Sequence, residues 1–206
     1  MSLTRRTARS FLRRSHAGQR GQGMVEFAII VPVFLLLLMG MLEFGFVFTH
    51  NLTLEYATRE GARAGSALSN GGSKATPAIC ASIDQNIINA VTKVLKSPGS
   101  PIVGYPNAVT SIQIWQASSS GNPVSTTVNT WTNKGDGSFT FTPPGSPVWT
   151  PCTRDAIPPS DSIGVSLTYT YTMVTPLGAI EKFFGPSGPA TLQMTDKTVM
   201  SLNPTN

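Results

Sequence analysis

The sequence has few of the residues from which catalytic and metal sites are built. It contains 2 histidines, His16 and His50, 2 cysteines and 10 acidic residues in 206 positions. No His/Cys/Asp/Glu group has metal-ligand spacing, and the sequence contains no C-x-x-C, H-E-x-x-H or G-x-S-x-G motif and no phosphate-binding glycine loop. We therefore predict a protein that is not an enzyme and carries no cofactor. At Asp155 and Asp161, beside Pro158-Pro159, a turn and a calcium site remain as alternatives.

Acidic residues are absent from the first 21 positions, which hold six arginines, so this leader carries +6. The rest of the chain has 9 basic against 10 acidic residues, a net charge of −1. Without the leader there is no basic surface for nucleic acid, and we predict no nucleic-acid partner. Basic residues beside a membrane helix stay cytoplasmic, which favours a cytoplasmic leader and an exported C-terminal part. The alternative is a solvated basic tail that binds a partner.

A long uncharged run follows the leader. Phe27 to Leu42 has 16 residues without a charge, and after Glu43 the apolar pattern continues to Phe48. As a helix, residues 27–48 would extend about 33 Å, which matches a hydrocarbon core of about 30 Å. We therefore predict a helix that crosses a lipid bilayer. Glu43 lies near its far end, where it either reaches towards the membrane surface or contacts another helix.

Three other residues bear on this helix. Pro32 removes one backbone hydrogen bond and should bend it. Gly40 and Gly45 would allow a neighbouring helix to approach closely. Polar residues then continue the helical pattern, with Glu55 and Arg59 as a favourable i,i+4 pair. We predict that the helix extends beyond the membrane to about Ser66.

The segment Gly21-Gln22-Gly23-Met24-Val25-Glu26-Phe27 directly precedes the apolar run. A carboxylate costs on the order of 2.5–3.5 kcal/mol at a bilayer centre and less near its edge, so Glu26 requires a reason. The order of basic leader, Gly21, Glu26, Phe27 and apolar helix resembles the processing site of Flp-type prepilins and of the TadE-like pseudopilins of the tight-adherence (Tad) pilus. The resemblance includes Pro32, Glu43-Phe44-Gly45 and Ala62-Arg63-Ala64.

This resemblance implies a minor pseudopilin of the bacterial inner membrane that acts in pilus biogenesis and is cut between Gly21 and Gln22. Glu26 would then pair with the cationic amino terminus of a neighbouring subunit and fix the stagger between helices. The implied partners are a prepilin peptidase, other pilin or pseudopilin subunits through the N-terminal helix, and the inner-membrane assembly platform. Alternatively, Glu26 faces lipid headgroups and the chain is an unprocessed, signal-anchored binding or scaffold protein.

Two other export signals fit less well. A secretory signal needs a small-residue cleavage site just after its apolar core, whereas Ala62-Arg63-Ala64 lies about 20 residues beyond Leu42. Arg5-Arg6 and Arg13-Arg14 are paired as in a twin-arginine signal, but neither pair is followed by Phe-Leu.

The exported part has the pattern of an α+β domain. We predict three parts: a leader (residues 1–21), a transmembrane and extended helix (22–66), and an exported domain (67–206). A helical stripe of apolar residues begins at Ile79 and ends at Leu95. Residues 163–173 alternate strictly between apolar and polar, as a strand does. Four further strands of the predicted antiparallel sheet are at residues 111–117, 124–131, 138–142 and 191–201.

Cys80 and Cys152 both belong to this exported part. In an oxidising compartment such a pair favours a disulfide, and two separate buried thiols are the alternative. Phe183 and Phe184 lie between two predicted strands, where they either cap the sheet or contact a membrane or partner.

Overall fold

The computed structural model describes residues 19–68, 77–102, 107–142, 149–156, 159–179 and 191–203. Two helices, α1 (Gln19–Leu68) and α2 (Pro77–Leu95), precede five strands: β1 (Val109–Ala117), β2 (Pro123–Asn133), β3 (Phe139–Thr142), β4 (Ser162–Thr172) and β5 (Thr191–Ser201). A short 3-10 helix, Pro151–Thr153, lies between β3 and β4. The predicted α+β class and all five strands are confirmed.

The five strands form one antiparallel sheet in the order β3-β2-β1-β4-β5. β1, β2 and β3 are consecutive neighbours, and β4 pairs with the free side of β1, where Ile114 lies opposite Val165. β4 and β5 pair over their full length, with Leu167 opposite Asp196. This arrangement makes β4 an inner strand, and its alternating residues from Ile163 to Tyr171 are buried. The period-2 pattern therefore predicted the buried face correctly.

The chain divides into two compact units between Met41 and Leu42. The second unit includes the outer part of α1, which packs with α2 on one face of the sheet. The predicted stripe on α2 supplies Ile83, Ile87, Val91 and Leu95 to the core, all at most 5% exposed. The predicted helix end near Ser66 is close to the observed end at Leu68. The fold does not test the predicted division into leader, membrane helix and exported domain, because the first boundary depends on cleavage after Gly21.

Two glycines let α1 approach the rest of the domain. A β-carbon on Gly61 would lie 2.5 Å from Val91 Cγ2, and one on Gly65 would lie 2.6 Å from Ile163 Cδ1. Such distances are too short for a side chain without movement of its neighbours. These positions therefore bring α1 into direct contact with both α2 and β4.

Candidate functional site

Most of the large apolar side chains at residues 24–42 of α1 are exposed in the part of the chain that the structure describes. Met24, Phe27 and Leu37 are 77%, 69% and 64% exposed, and the same pattern continues to Met41 and Leu42. The helix is long and apolar enough to cross a membrane. A helix that is apolar on all sides and uncovered is typical of a membrane span. The length and composition of this segment therefore suggest a membrane anchor.

The predicted processing residues all lie on this exposed part of α1. Gly21, Gln22 and Glu26 belong to one helical stretch, and Gln22 Nε2 donates a hydrogen bond to Glu26 Oε1 at 3.0 Å. Glu26 has no cationic partner among the side chains that the structure describes. Phe27, the aromatic residue next to it, is also exposed. The chain itself therefore leaves the Glu26 charge without a counter-ion in the described region.

Three further predicted residues also lie on α1. Pro32 is inside the helix, which continues past it. A β-carbon on Gly40 or Gly45 would have no atom within 4 Å, and the predicted approach of a neighbouring helix at these positions stays a prediction. The structure brings neither of them into contact with another element of the described chain.

Glu43 differs from both sequence interpretations, because it contacts the protein's own sheet. It is 4% exposed. Its carboxylate accepts hydrogen bonds from the Tyr171 hydroxyl, from Val174 N at 3.1 Å and from Thr175 N at 2.9 Å. A buried carboxylate is stabilised by several donors of this kind. Glu43 therefore fastens α1 to the end of β4 and the turn that follows.

His50 extends the same buried polar group by two helical turns. Its place just after the apolar run predicts a polar residue at the membrane interface, but it is 5% exposed and belongs to the core of the exported domain. Its Nδ1 lies 2.9 Å from the Tyr169 hydroxyl, and its ring meets that of Tyr171 edge-on with centroids 5.0 Å apart. Burial lowers the pKa of His50. Burial, together with the hydrogen bond to Glu43, raises the pKa of Tyr171, so its hydroxyl stays a donor.

The sequence itself carries a signal for this cluster. Glu43 and His50 are seven residues apart, so they lie on the same face of α1. Tyr169 and Tyr171 are two residues apart on one face of β4. Buried tyrosines need a partner for the hydroxyl group. The two polar residues on one face of α1 and the two tyrosines on one face of β4 therefore predict a contact between the two elements.

Further out on α1, Thr58 makes a second polar contact with the sheet. Its hydroxyl is fully buried and bonds Asp196, and it lies 3.0 Å from Thr198 Oγ1. Both partners belong to β5. The outer part of α1 is thus held by polar contacts along its length as well as by apolar packing.

A third polar group joins α2 to the segment that contains the 3-10 helix. Arg154 Nη2 donates to Asp84 Oδ1 at 2.5 Å, and Asn129 Nδ2 donates to Asp84 Oδ2 at 2.8 Å. Arg154 is completely buried and its guanidinium lies 4.4 Å from the centre of the Trp149 ring. The geometry is that of a structural ion pair, enclosed by the core and not lining an open site.

The two cysteines belong to the elements that this ion pair joins. Cys152 is in the 3-10 helix, which packs against α2, and Cys80 is one turn before Asp84. The side chain of Cys80 lies outside the described residues, and so do Phe183 and Phe184. The bridge between Cys80 and Cys152 and the role of the two phenylalanines stay predictions.

The calcium alternative at Asp155 and Asp161 is not favoured by the contacts. Asp161 Oδ1 accepts from Gln116 Nε2 at 2.8 Å, and Oδ2 accepts from Asp155 N at 2.9 Å. One oxygen of the carboxylate is therefore bonded to β1 and the other to the backbone of the turn. In the part of the chain that the structure describes, no group of three His, Cys, Asp or Glu residues is placed to hold a metal.

An open groove of about 830 Å³ runs between the outer part of α1 and α2. Tyr56 and Glu60 on α1 and Asn86, Asn89 and Lys93 on α2 are among its lining residues. These side chains mix apolar, polar and charged groups of both signs. The groove is an open surface feature of the domain.

Comparison with known proteins bears on α1. No curated protein and no solved structure matches the chain. The family described as TadE-like protein does match, over residues 21–63. The matched residues run from the predicted cleavage site through the exposed apolar segment and past the Glu43 and His50 contacts. The resemblance predicted from the sequence is therefore confirmed for residues 21–63, which are similar to the TadE-like protein family.

Proposed function

We propose that the protein is a membrane-anchored minor pseudopilin that acts in the assembly of a Tad pilus and is cut after Gly21 by a prepilin peptidase. The TadE-like match suggests involvement in Tad pilus systems. The observation that carries the finer proposal is the state of Glu26, an exposed carboxylate at the edge of an apolar helix with only the Gln22 amide as a described partner.

The charge of Glu26 explains why processing and assembly would be linked. Cleavage after Gly21 creates an ammonium group at Gln22. In lipid, an unpaired carboxylate is unfavourable and an ion pair is less so, because opposite charges compensate each other. A helix from a neighbouring subunit with its own new amino terminus would supply that charge. The pairing would fix the stagger between two helices, so Glu26 acts as a positioning residue and not in catalysis.

The cleavage step is tested at the glycine itself. A β-carbon at Gly21 has no atom within 4 Å, so Gly21→Leu should not disturb the fold. We expect this variant, expressed with the peptidase, to keep its leader, while wild-type protein begins at Gln22 by intact mass. Gly40→Leu is the matched control, because that position is equally open. A wild-type protein that keeps its leader in the presence of active peptidase would support the unprocessed signal-anchored alternative instead.

Assembly is tested at the carboxylate. Glu26→Ala should be cut largely as wild type, because Gly21 is unchanged, but pilus assembly should fall. Glu60→Ala is a control of the same chemistry, since Glu60 is paired with Arg63 on the surface of the outer helix. Normal piliation in the Glu26 variant would contradict the positioning role.

The topology and partners follow from the same proposal. The arginine-rich leader stays on the cytoplasmic side of the inner membrane, and residues after the span lie outside it. Sibling pilin subunits and the inner-membrane assembly platform contact the N-terminal helix. The role proposed for the exported domain is to make contacts, not to catalyse a reaction.

In that oxidising location we also propose a disulfide between Cys80 and Cys152. It is supported by the packing of α2 against the 3-10 helix, and no free cysteine occurs among the described residues. Alkylation before and after reduction should differ by two alkyl groups in mass. Equal masses would mean that the cysteines are separate thiols.

A further inference from the structure

Glu43 marks where the hydrocarbon core of the membrane ends. Its donors include the backbone N–H groups of Val174 and Thr175, which are in the irregular segment after β4. Irregular backbone exposed to lipid does not occur within the hydrocarbon region, because its polar groups would lack partners. Val174 is 57% exposed. The hydrocarbon core therefore ends before Glu43, not at Phe48 as the apolar run alone predicts.

The depth of Glu26 in the membrane follows from the number of residues between it and this boundary. A membrane-spanning helix needs about 20 residues for a hydrocarbon core of about 30 Å. Twenty residues that end at Leu42 begin at Gly23, and Glu26 is the one charged residue among them. Glu26 then lies about one helical turn inside the inner boundary.

Three exposed aromatic side chains follow the same boundary on α1. Phe44, Phe46 and Phe48 are 72%, 42% and 54% exposed. Along a helix these residues rise about 6 Å, and the headgroup layer on each side of a bilayer is about 5–7.5 Å thick. The residues that follow, Thr49-His50-Asn51, are polar. Aromatic residues are typical of the membrane interface, so the aromatic stretch matches this layer in both thickness and chemistry.

We propose that these three phenylalanines, together with Val174 and Pro176, form a lipid-contacting rim of the exported domain that lies in the headgroup layer. Val174 and Pro176 are exposed and follow β4, and the bonds from Val174 and Thr175 to Glu43 hold this turn at the level of the phenylalanines. The three hydrogen bonds to Glu43 fix the depth at which the exported domain lies in the membrane surface. The partner is the lipid surface itself. This inference rests on the membrane-anchored part of the proposed function and not on processing.

The test uses the full chain, with its leader, in phosphatidylcholine vesicles that carry bromine either near the headgroup or near the end of the acyl chain. Phe48→Trp and Val174→Trp each add a tryptophan to the rim. Tyr56→Trp, two turns further along α1, and Val124→Trp, 40% exposed at the start of β2, are matched controls. The emission of the 3 native tryptophans is measured in wild type and subtracted.

We expect shallow bromines to quench the added tryptophan at positions 48 and 174 more than deep bromines do, and to leave both controls unchanged. Unquenched emission at 48 and 174 in a variant with wild-type circular dichroism would overturn the proposal. Equal quenching at position 56 would also overturn it, because the domain would then lie deeper. Quenching at position 48 could also disappear as protein is added at constant lipid. This result would mean that a second copy of the chain covers the phenylalanines, and it would overturn the proposal. No peptidase or pilus protein is present, so these outcomes are independent of cleavage after Gly21.

Discussion

Replacing Arg154 by methionine removes a cation that the exported domain encloses completely. The side chain is 0% exposed, and its hydrogen bond to Asp84 measures 2.5 Å. Burial lowers the pKa of Arg154 and the nearby Asp84 opposes this, so the guanidinium stays charged. The methionine variant would leave the carboxylate of Asp84, 7% exposed, with the Asn129 amide as its remaining described partner.

The expected loss follows from this geometry. Removing one partner of a buried ion pair costs about 3–5 kcal/mol. Two nitrogens of Arg154, Nε and Nη1, already lack an acceptor among the described residues, and this reduces what the wild-type pair contributes. We therefore expect a loss near the lower limit, about 3 kcal/mol. Arg59→Met is the matched control, because its pair with Glu55 is 62% and 36% exposed, and such pairs contribute about 0–1 kcal/mol.

Thermal unfolding of the full chain in detergent, followed by tryptophan fluorescence, measures the difference. For a chain of this size about 3 kcal/mol lowers Tm by roughly 6–12 °C. Replacing both partners in Asp84→Leu/Arg154→Met should recover part of the loss, because no buried charge is then left unpaired. A Tm for Arg154→Met within the error of wild type, or a loss equal to that of Arg59→Met, would refute the reasoning.

Three shorter predictions concern α1. Glu43→Ala should cost about 1–3 kcal/mol, because the hydroxyl of Tyr171 loses its acceptor, and adding Tyr171→Phe should recover part of the loss in the same unfolding assay. Burial lowers the pKa of His50, so the unfolded chain binds more protons below about pH 6.5. Stability should therefore be complete above that pH and fall towards pH 5, whereas His50→Gln should show a weaker dependence; equal slopes would contradict this. Gly61→Ala should lose about 1–3 kcal/mol through overpacking, while Gly45→Ala, where space is open, should lose nothing, and equal unfolding temperatures would contradict the close contact.

The elements of the exported domain were predictable because their signals are local. Strict alternation at residues 163–173 requires one buried face, and β4 shows it. The apolar stripe on α2 required a surface to cover, and the sheet provides it. The boundaries agree within about two residues because glycine and proline end most of these segments.

The contacts between elements were not predictable in the same way. A single sequence shows that Glu43 is unusual, but the donors that satisfy it come from residues more than 100 positions away. His50 was expected at the membrane surface because it follows the apolar pattern that continues to Phe48. Its buried state depends on β4, which returns to the same part of α1. The close approach at Gly61 is likewise a property of the packed domain, since its neighbours on the helix give no sign of it.

The two glutamates of the apolar region, Glu26 and Glu43, differ in the partners that the structure gives them. In the sequence each is a lone carboxylate at one edge of the run. Glu43 is satisfied within its own chain, whereas Glu26 has only the Gln22 amide as a described partner, so the proposed contact with another subunit concerns Glu26. Glu26→Gln should therefore leave the unfolding temperature of the exported domain unchanged and reduce assembly, whereas Glu43→Gln should lower that temperature first. If both variants assembled poorly with a fully stable domain, then Glu43 would also contact another subunit and its three donors would not be its working partners.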